Sequence, residues 1–178
     1  MIRTSLQDVA GLPDPLLSYN FDLMFPRIPG ATGDVRGMTI KCMTTSLPGM
    51  QLEQVTASLH GVEVSFAGRQ IYSKTFQATF YEARDGGSRQ AIRQWIEYAR
   101  NNRRNAGNYK SQYAVGAMMY LYDDIPNVIN ETKIVNCFPT AMDDLSMDGG
   151  QGQLVQLQCT FSYDWTEESL VDGQSSIQ

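Results

Sequence analysis

The residue types that most often carry catalysis are few in this sequence and widely separated. His60 is the only histidine among 178 residues. It lies beside Gly61, where the alternation of apolar residues changes phase, so a β-bulge or sharp bend is expected there and His60 is interpreted as structural. No nucleophile elbow is present, and the run Gly149-Gly150-Gln151-Gly152 precedes a strand pattern rather than a helix. The sequence therefore predicts neither an enzyme nor a cofactor.

Three cysteines and two acidic pairs are the remaining candidates for chemistry. Cys42, Cys137 and Cys159 lack the spacing of a metal site or a disulfide framework, so buried free thiols are expected. A cross-link between neighbouring subunits is the alternative. The pairs Asp123-Asp124 and Asp143-Asp144 contain the oxygen ligands that divalent cations prefer, but they lie in predicted turns and are expected to face solvent. No metal site is predicted.

The segment from Ser88 to Arg104 has the periodicity of an amphipathic helix. Ile92, Trp95 and Ile96 recur at intervals of three and four residues and are predicted to anchor this helix to a core. Asp85 or Ser88 is expected to cap its N-terminus. A single amphipathic helix in a chain rich in strand patterns is expected to cover a β-structure.

A second stripe on the same helix is charged and mostly basic. It consists of Arg89, Arg93, Glu97, Arg100 and Arg104. From Arg84 to Arg104 there are six arginines against two acids, whereas ten acids and a single lysine follow from Asp123 onward. Separated patches of opposite sign suit subunits that meet head to tail, and a solvated helix face with an acidic tail is the alternative. The net charge of −5 argues against a nucleic-acid-binding protein.

Alternating apolar residues predict strands through most of the remaining chain. The predicted strands are 19–25, 38–46, 55–66, 72–80, 113–122, 132–138 and 155–165. Residues 26–37 are predicted to form a loop and Ala67-Gly68 a turn. The strand at 113–122 is apolar on both faces, which indicates a central strand or one that a partner covers. These elements predict a mainly β fold with one α-helix, an antiparallel β-barrel or sandwich flanked by the helix.

The chain is expected to form one domain with polar ends. The boundaries are an N-terminal arm at 1–17, a single β-barrel domain at 18–165 and a flexible tail at 166–178. No apolar run approaches the roughly 20 residues that cross a bilayer. The first residues do not have the pattern of a signal peptide, so a cytoplasm-like compartment is expected.

Several short motifs, taken in order, resemble the tail tube protein of contractile-tailed bacteriophages. The resemblance extends from about Tyr19 to Trp165. The motifs are Ser18-Tyr19-Asn20-Phe21, Lys41-Cys42, Thr45-Ser46-Leu47-Pro48-Gly49, Ala67-Gly68-Arg69, Phe76 with Thr79-Phe80, the helix with Arg93 and Trp95, Lys110-Ser111, Asn136-Cys137-Phe138-Pro139-Thr140, and Thr160-Phe161-Ser162-Tyr163-Asp164-Trp165. The sequence departs from the pattern in its long 26–37 loop, its three cysteines and its C-terminal tail.

The resemblance implies a structural protein of the virion. It implies hexameric rings that stack into a tube inside a contractile sheath, with four strands per subunit lining a lumen for the genome. The implied partners are further copies of the chain, the tail sheath, baseplate and terminator proteins, and the tape measure protein and DNA in the lumen, with no membrane binding. Assembly in the host cytoplasm is implied, and the acidity of the chain is expected to suit a lumen that repels phosphates. Arg89, Arg93, Arg100 and Arg104 become candidates for contact with a neighbouring subunit or the sheath.

Three other interpretations remain open. The chain has features equally expected of the tube of a related contractile injection system or tailocin. A baseplate or tail-end cap protein that forms a single ring is a further variant. A β-barrel that binds a ligand or carries an enzyme site belongs to a different class, and it predicts a pocket of convergent polar residues that the sequence does not indicate.

Overall fold

The structure of the protein is a computed structural model that describes residues 16–31, 35–123, 125, 127–147, 150 and 152–170. The helices in this part are α1 (Val35–Ile40), α2 (Gly87–Ala99) and α3 (Lys110–Tyr113). The strands are β1 (Phe21–Met24), β2 (Cys42–Thr45), β3 (Met50–Leu59), β4 (Val62–Tyr72), β5 (Thr75–Tyr81), β6 (Arg100–Asn101), β7 (Ala106–Gly107), β8 (Val115–Tyr122), β9 (Val128–Met142), β10 (Gln156–Ser162) and β11 (Trp165–Leu170). Nearly all of the predicted arm at 1–17, and the tail from residue 171, lie outside the described residues.

Two antiparallel sheets share the long strand β9. The first part of β9 pairs with β8 and β11, and β1 follows β8; we call these strands the β8 sheet. The last part of β9 pairs with β10, then β5 and β2 follow; we call these the β10 sheet. The predicted mainly β, antiparallel architecture with a flanking helix is confirmed.

The core lies between these sheets and helix α2. Phe161 of β10 is at its centre, with ring centroids of Phe76 and Phe25 at 5.2 and 5.3 Å and that of Trp95 at 6.1 Å. Ile92 and Trp95 are completely buried, and Ile96 packs partly buried against them. The indole N–H of Trp95 donates to the Tyr113 carbonyl at 2.7 Å, so this buried polar group is satisfied.

Helix α2 is shorter than the sequence predicts. It ends at Ala99, and Arg100 has extended dihedral angles and pairs with Gly107 in the β6–β7 ribbon. Arg100 and Arg104 therefore do not lie on the helix. At the other end Gly86 is the N-cap residue, with φ of 65° and no side-chain cap.

Two orphan N–H groups in the first turn of α2 are satisfied by Glu82. Its carboxylate accepts from the backbone N–H of Ser88 at 3.2 Å and of Arg89 at 2.7 Å. Asp85, one predicted cap, accepts instead from the N–H of Gly87 at 3.1 Å. A carboxylate at a helix N-terminus also interacts favourably with the helix dipole.

The predicted loop at 26–37 and strand at 38–46 are wrong in detail. Val35–Ile40 is a short helix, and the strand is confined to Cys42–Thr45. Met38 and Ile40 have the i, i+2 spacing of one strand face, yet Met38 is 3% exposed and Ile40 is 72% exposed. On a helix these positions point in different directions, which explains the contrast.

The hairpin of β3 and β4 bears on two sequence interpretations. His60 and Gly61 form its two-residue turn, both with positive φ as in a type I′ turn, so the sharp bend expected there is present and the alternative, a bulge, is not. The bulge lies instead at the predicted Ala67-Gly68 turn, where the register shifts opposite Leu52 and Gln54. A Cβ added to Gly68 would lie 2.9 Å from the Glu53 carbonyl oxygen, so the bulge requires glycine.

The last predicted strand is divided by a corner. Leu157, Cys159 and Phe161 alternate inward on β10 as predicted. After Asp164 the phase reverses, because Trp165 is 42% exposed while Thr166 is buried. Residues 165–170 form β11 against β9, although the sequence places residues 166–170 in the tail.

Candidate assembly surfaces

The β3–β4 hairpin is the largest uncovered element of the described structure. It continues the β2–β5 strand pair beyond the core, since β2 leads into β3 and β4 leads into β5. β3 has 10 residues and β4 has 11, and none of them is buried. A two-stranded hairpin alone in water is marginally stable, so this hairpin requires a covering surface.

One face of the outer half of the hairpin is apolar. The cross-strand pairs that share this face are Val55 with Phe66, Ala57 with Val64, and Leu59 with Val62. Leu59 and Val62 are 59% and 62% exposed, and Phe66 is 54% exposed. Contiguous exposed apolar side chains of this kind mark an interaction surface.

The opposite face of the hairpin is polar. It carries the pairs Thr56 with Ser65 and Ser58 with Glu63, and Gln54 donates to the Ser65 hydroxyl at 2.6 Å. Near the bulge, Glu53 lies on the same side of β3 as Val55 and pairs with Arg69 at 2.8 Å. The outer half of the hairpin is therefore amphipathic, with one face suited to burial and the other to water.

The structure brings two of the four candidate arginines together. Arg89 and Arg93 line a shallow groove along α2 with Gln90, Gln94 and Glu97. The guanidinium of Arg93 is 2.9 Å from the Glu97 carboxylate, an exposed i, i+4 ion pair.

The other two candidates lie beyond the helix. Arg104 lines an adjacent groove with Tyr98 and Asn108. Arg100 lines neither groove, and its side chain donates to Asn105 at 3.3 Å. The four arginines predicted to share one stripe are thus divided between two neighbouring grooves, and Arg100 lines neither of them.

Sequence reasoning missed a polar cluster at the corner between β10 and β11. Lys110 lies 2.6 and 2.7 Å from the two Asp164 carboxylate oxygens, and Asn136 donates to one of them at 2.7 Å. These hydrogen bonds hold the pKa of Asp164 below its usual range. Lys74 donates to the Asp164 backbone carbonyl at 2.6 Å. The alternation of apolar residues continues through Trp165 in the sequence, so no local pattern marks this corner.

The cysteines have the environment of unreactive thiols. Cys137 and Cys159 are completely buried, and Cys42 is partly buried. Burial raises the pKa of Cys42 and of Cys159 to about 12 and that of Cys137 further, so all three are protonated at neutral pH. Complete burial of Cys137 and Cys159 opposes their use in a cross-link between subunits.

Among the described residues, no group of three or more His, Cys, Asp or Glu side chains is placed to hold a metal ion. No helix in the same part of the chain is long and apolar enough to span a membrane.

The fold consists of two antiparallel sheets joined through one strand, with a helix on one side and an uncovered amphipathic hairpin. Together these features define a β-sandwich of the tail-tube type. A profile of the phage tail tube protein family matches residues 18–167, and the chain belongs to this family. The resemblance inferred from the sequence motifs is thereby confirmed. No curated protein matches the sequence.

Solved structures share this fold at low sequence identity. The tube-terminating cap of the anti-feeding prophage is 15% identical over 90% of this chain and 95% of its own, with a TM-score of 0.67. A chain of the sheath–tube complex of an extracellular contractile injection system, PVC, is 15% identical over 95% and 100%, with a TM-score of 0.65. A chain of the anti-feeding prophage baseplate is 12% identical over 90% and 99%, also with a TM-score of 0.65.

Proposed function

We propose that this chain is the repeating subunit of the inner tube of a contractile phage tail. Hexameric rings of the subunit stack into a tube whose channel delivers DNA to the host. The subunit is a structural, non-enzymatic component of the virion that assembles in the host cytoplasm. The observation that carries the proposal is the uncovered apolar face of the β3–β4 hairpin in a member of the tail tube family.

A second copy of the chain is the covering surface that best fits this hairpin. The hairpin is fixed to the core only at its base, so its apolar face is free to pack on a neighbour. Each Val, Leu or Phe side chain that becomes fully buried contributes about 1.5–3 kcal/mol. Several such side chains per hairpin, repeated around a ring, supply a large driving force for assembly.

The arginine grooves on α2 supply a second contact. Arg89, Arg93 and Arg104 present positive charge on a subunit that is acidic overall. Complementary charge directs subunits and sheath into the correct register more than it adds affinity. We assign these grooves to the sheath or to an adjacent subunit. Arg100 is not included, because it lines neither groove.

The remaining partners follow from the place of a tube in a tail. Chains with this fold occur in a sheath–tube complex, in a sheath and tube terminator, and in a baseplate. By the same arrangement this chain contacts sheath, terminator and baseplate proteins, and its channel holds the tape measure protein and DNA without sequence preference.

Negative-stain microscopy of the concentrated protein tests the proposal. Stacked rings or hollow tubes that lengthen with protein concentration are the expected result. A monodisperse monomer at high concentration would contradict self-assembly. Binding of purified sheath protein to the tubes, with the hairpin intact, tests the second contact separately.

A tail-end or cap protein is the second candidate function. The tube-terminating cap has a TM-score of 0.67, similar to the 0.65 of the chain in the sheath–tube complex. A cap forms one closed ring and stops, whereas a tube subunit polymerises without limit. Particle length in the same microscopy experiment therefore distinguishes the two. The tube of a related injection system or tailocin gives the same images, and the neighbouring genes distinguish it from a phage tail.

A further inference from the structure

Strand β8 is apolar on both faces, and the core of the subunit covers only one of them. Ala117 and Met119 point into the core and are completely buried. Met118, Tyr120 and Tyr122 alternate with them on the other side of the sheet, where they are only half-buried. A strand that is apolar on both faces is expected to have a second covering surface. The subunit therefore leaves the outer side of β8 for a partner.

The neighbouring strands extend this outer side into a surface with the composition of an interface. Met24 of β1 is 42% exposed, while Asp22 of β1 opposes Tyr120. Tyr122 donates to the Asp22 carboxylate at 3.0 Å, so its hydroxyl keeps a partner when the ring is covered. Aromatic and Met side chains with charges at their edge match the apolar centre and polar rim of protein interfaces. We call this surface the β8 outer face; its members are Met24, Met118, Tyr120 and Tyr122.

The apolar face of the β3–β4 hairpin matches the β8 outer face in size. It covers five residues of each of two paired strands, about 13 Å by 5 Å, and β8 with β1 presents a similar patch. Its larger side chains, at 39–62% exposure, are Val55, Leu59, Val62, Val64 and Phe66. A side chain of this kind has roughly 60–120 Å² of apolar surface, so the exposed half of these five amounts to about 150–300 Å². A lasting dimer needs about 800 Å² per partner, so this contact suits an assembly that repeats it rather than an isolated pair.

The contact joins two different surfaces of the chain, and this difference decides how it propagates. Two hairpins packed on each other would pair identical surfaces and close as a dimer. A hairpin on the β8 outer face instead leaves each pair of copies with one free hairpin and one free receiving face. Such a head-to-tail contact continues into a ring or a stack, as the proposed tube requires.

Opposite charges flank the two surfaces. Toward the base of the hairpin the Arg69 side chain is 80% exposed, although it lies 2.8 Å from Glu53. Glu131 of β9 opposes Tyr120 and has no ion pair among the described residues. An exposed arginine and an unpaired carboxylate on facing surfaces favour one orientation of the two copies over the others.

We propose that the apolar face of the hairpin packs on the β8 outer face of a second copy, with Arg69 of one copy beside Glu131 of the other. The inference rests on the proposed function and adds to it the surface that receives the hairpin. It also accounts for the apolar outer side of β8, which the core of the subunit leaves uncovered.

Cross-linking within assembled tubes tests this contact. Val62→Cys is combined in one chain with Met118→Cys or with Tyr120→Cys, and Cys42→Ser removes the native thiol that is only partly buried. A short bis-maleimide should then give a covalent ladder of dimers, trimers and longer chains, because every copy carries one thiol of each kind. Ser58→Cys with the same receiving positions is the matched control. Ser58 lies on the polar face of the hairpin, so the ladder should be absent.

Exchange of the flanking charges is a second measurement that needs no cross-link. Arg69→Glu and Glu131→Arg, each alone, should raise the protein concentration at which tubes form at least threefold. The two changes together should return it to near the value of the unmodified chain, because the pair is restored with its signs reversed. Circular dichroism of the unassembled subunit checks that each variant is folded.

Four results would overturn the assignment. The first is tubes that give no ladder with either receiving position, and the second is an equal ladder from the Ser58→Cys control. The third is cross-linked dimers from Val62→Cys alone, which means that hairpins meet one another. The fourth is a charge-exchanged chain that assembles no better than either single variant, and it decides the matter if the cysteine variants form no tubes. Failure of the unmodified chain to form tubes is a separate result, because it contradicts the proposed function itself.

Discussion

Lys110 and Asp164, 54 positions apart in the chain, form a two-oxygen ion pair with distances of 2.6 and 2.7 Å. Lys110 begins α3, and Asp164 lies at the corner where the chain leaves the β10 sheet and enters β11. Asn136 and Lys74 bind the same residue from β9 and from the β4–β5 connection. The corner thus joins both sheets and a helix through one aspartate.

Replacing Asp164 is expected to destabilise this corner in a pH-dependent way. The Asp164 pKa is lowered in the folded state. Its contribution to the free energy of unfolding is therefore present above the ordinary carboxyl pKa and is lost as pH falls through the lowered pKa. Both side chains of the pair are partly exposed, at 47% and 32%, so Asp164→Asn should cost only about 1 kcal/mol at pH 7. Urea unfolding at pH 7 and at pH 3 measures the difference in free energy of unfolding between the unmodified protein and the Asp164→Asn variant. This difference should be smaller at pH 3. An equal difference at both pH values would contradict an ionic origin.

The apolar face of the hairpin should control assembly without controlling the fold. Val55→Ser with Phe66→Ser removes an exposed cross-strand pair, so we expect tubes to be lost while the circular dichroism of the subunit is unchanged. Sedimentation velocity measures the loss. The matched control, Ser58→Ala with Glu63→Gln, changes a pair on the polar face and should assemble normally. Tubes of normal length from the double serine variant would show that another surface drives assembly.

Reversing charge in the α2 groove should weaken a partner contact rather than the fold. Arg89→Glu with Arg93→Glu places Glu beside Glu97, and the like-charge pair costs only about 0.3–0.5 kcal/mol of helix stability. We expect sheath binding or ring stacking to fall at least tenfold, more strongly at low salt. Arg100→Glu is the control, because Arg100 lines neither groove. An equal effect of both changes would indicate a general effect of net charge.

Trp95 should stabilise the fold through its N–H as well as its ring. Trp95→Phe leaves the Tyr113 carbonyl without its 2.7 Å donor in the core, which is expected to cost about 1–3 kcal/mol in addition to a small cavity. Trp165→Phe is the control, since Trp165 is 42% exposed. Chemical denaturation of the unassembled subunit measures both variants. Similar stabilities for the two would show that the buried hydrogen bond contributes little.

The sequence predicted the elements whose periodicity is strong and local. The alternation from Leu157 to Tyr163 identified an inward strand face, and the spacing of Ile92 and Trp95 identified the buried side of α2. The motif order identified the family. Each of these signals depends on a few neighbouring residues and on burial alone, so no knowledge of distant contacts is needed.

The features that the sequence left open or predicted wrongly depend on pairing between distant residues. His60-Gly61 and Ala67-Gly68 both break the alternation, and only the register of β3 against β4 distinguishes the turn from the bulge. Glu82 caps α2 from outside the helix, and Asp164 binds three residues that are far from it in sequence. Long-range contacts of this kind leave no local pattern in a single sequence.

By itself the sequence determined the β-rich fold class, the core anchors of α2 and the family, because hydrophobic periodicity and short motifs are local properties. The tertiary structure decided which surfaces remain uncovered. It separated Arg100 from the arginine grooves, and it turned the apolar residues of β3 and β4 into an exposed face of a hairpin. It also placed the Thr and Gln side chains of β5 and β10 on one surface opposite α2. Exposure depends on how all the elements pack together, which is why it could not be obtained from the periodicity of any one of them.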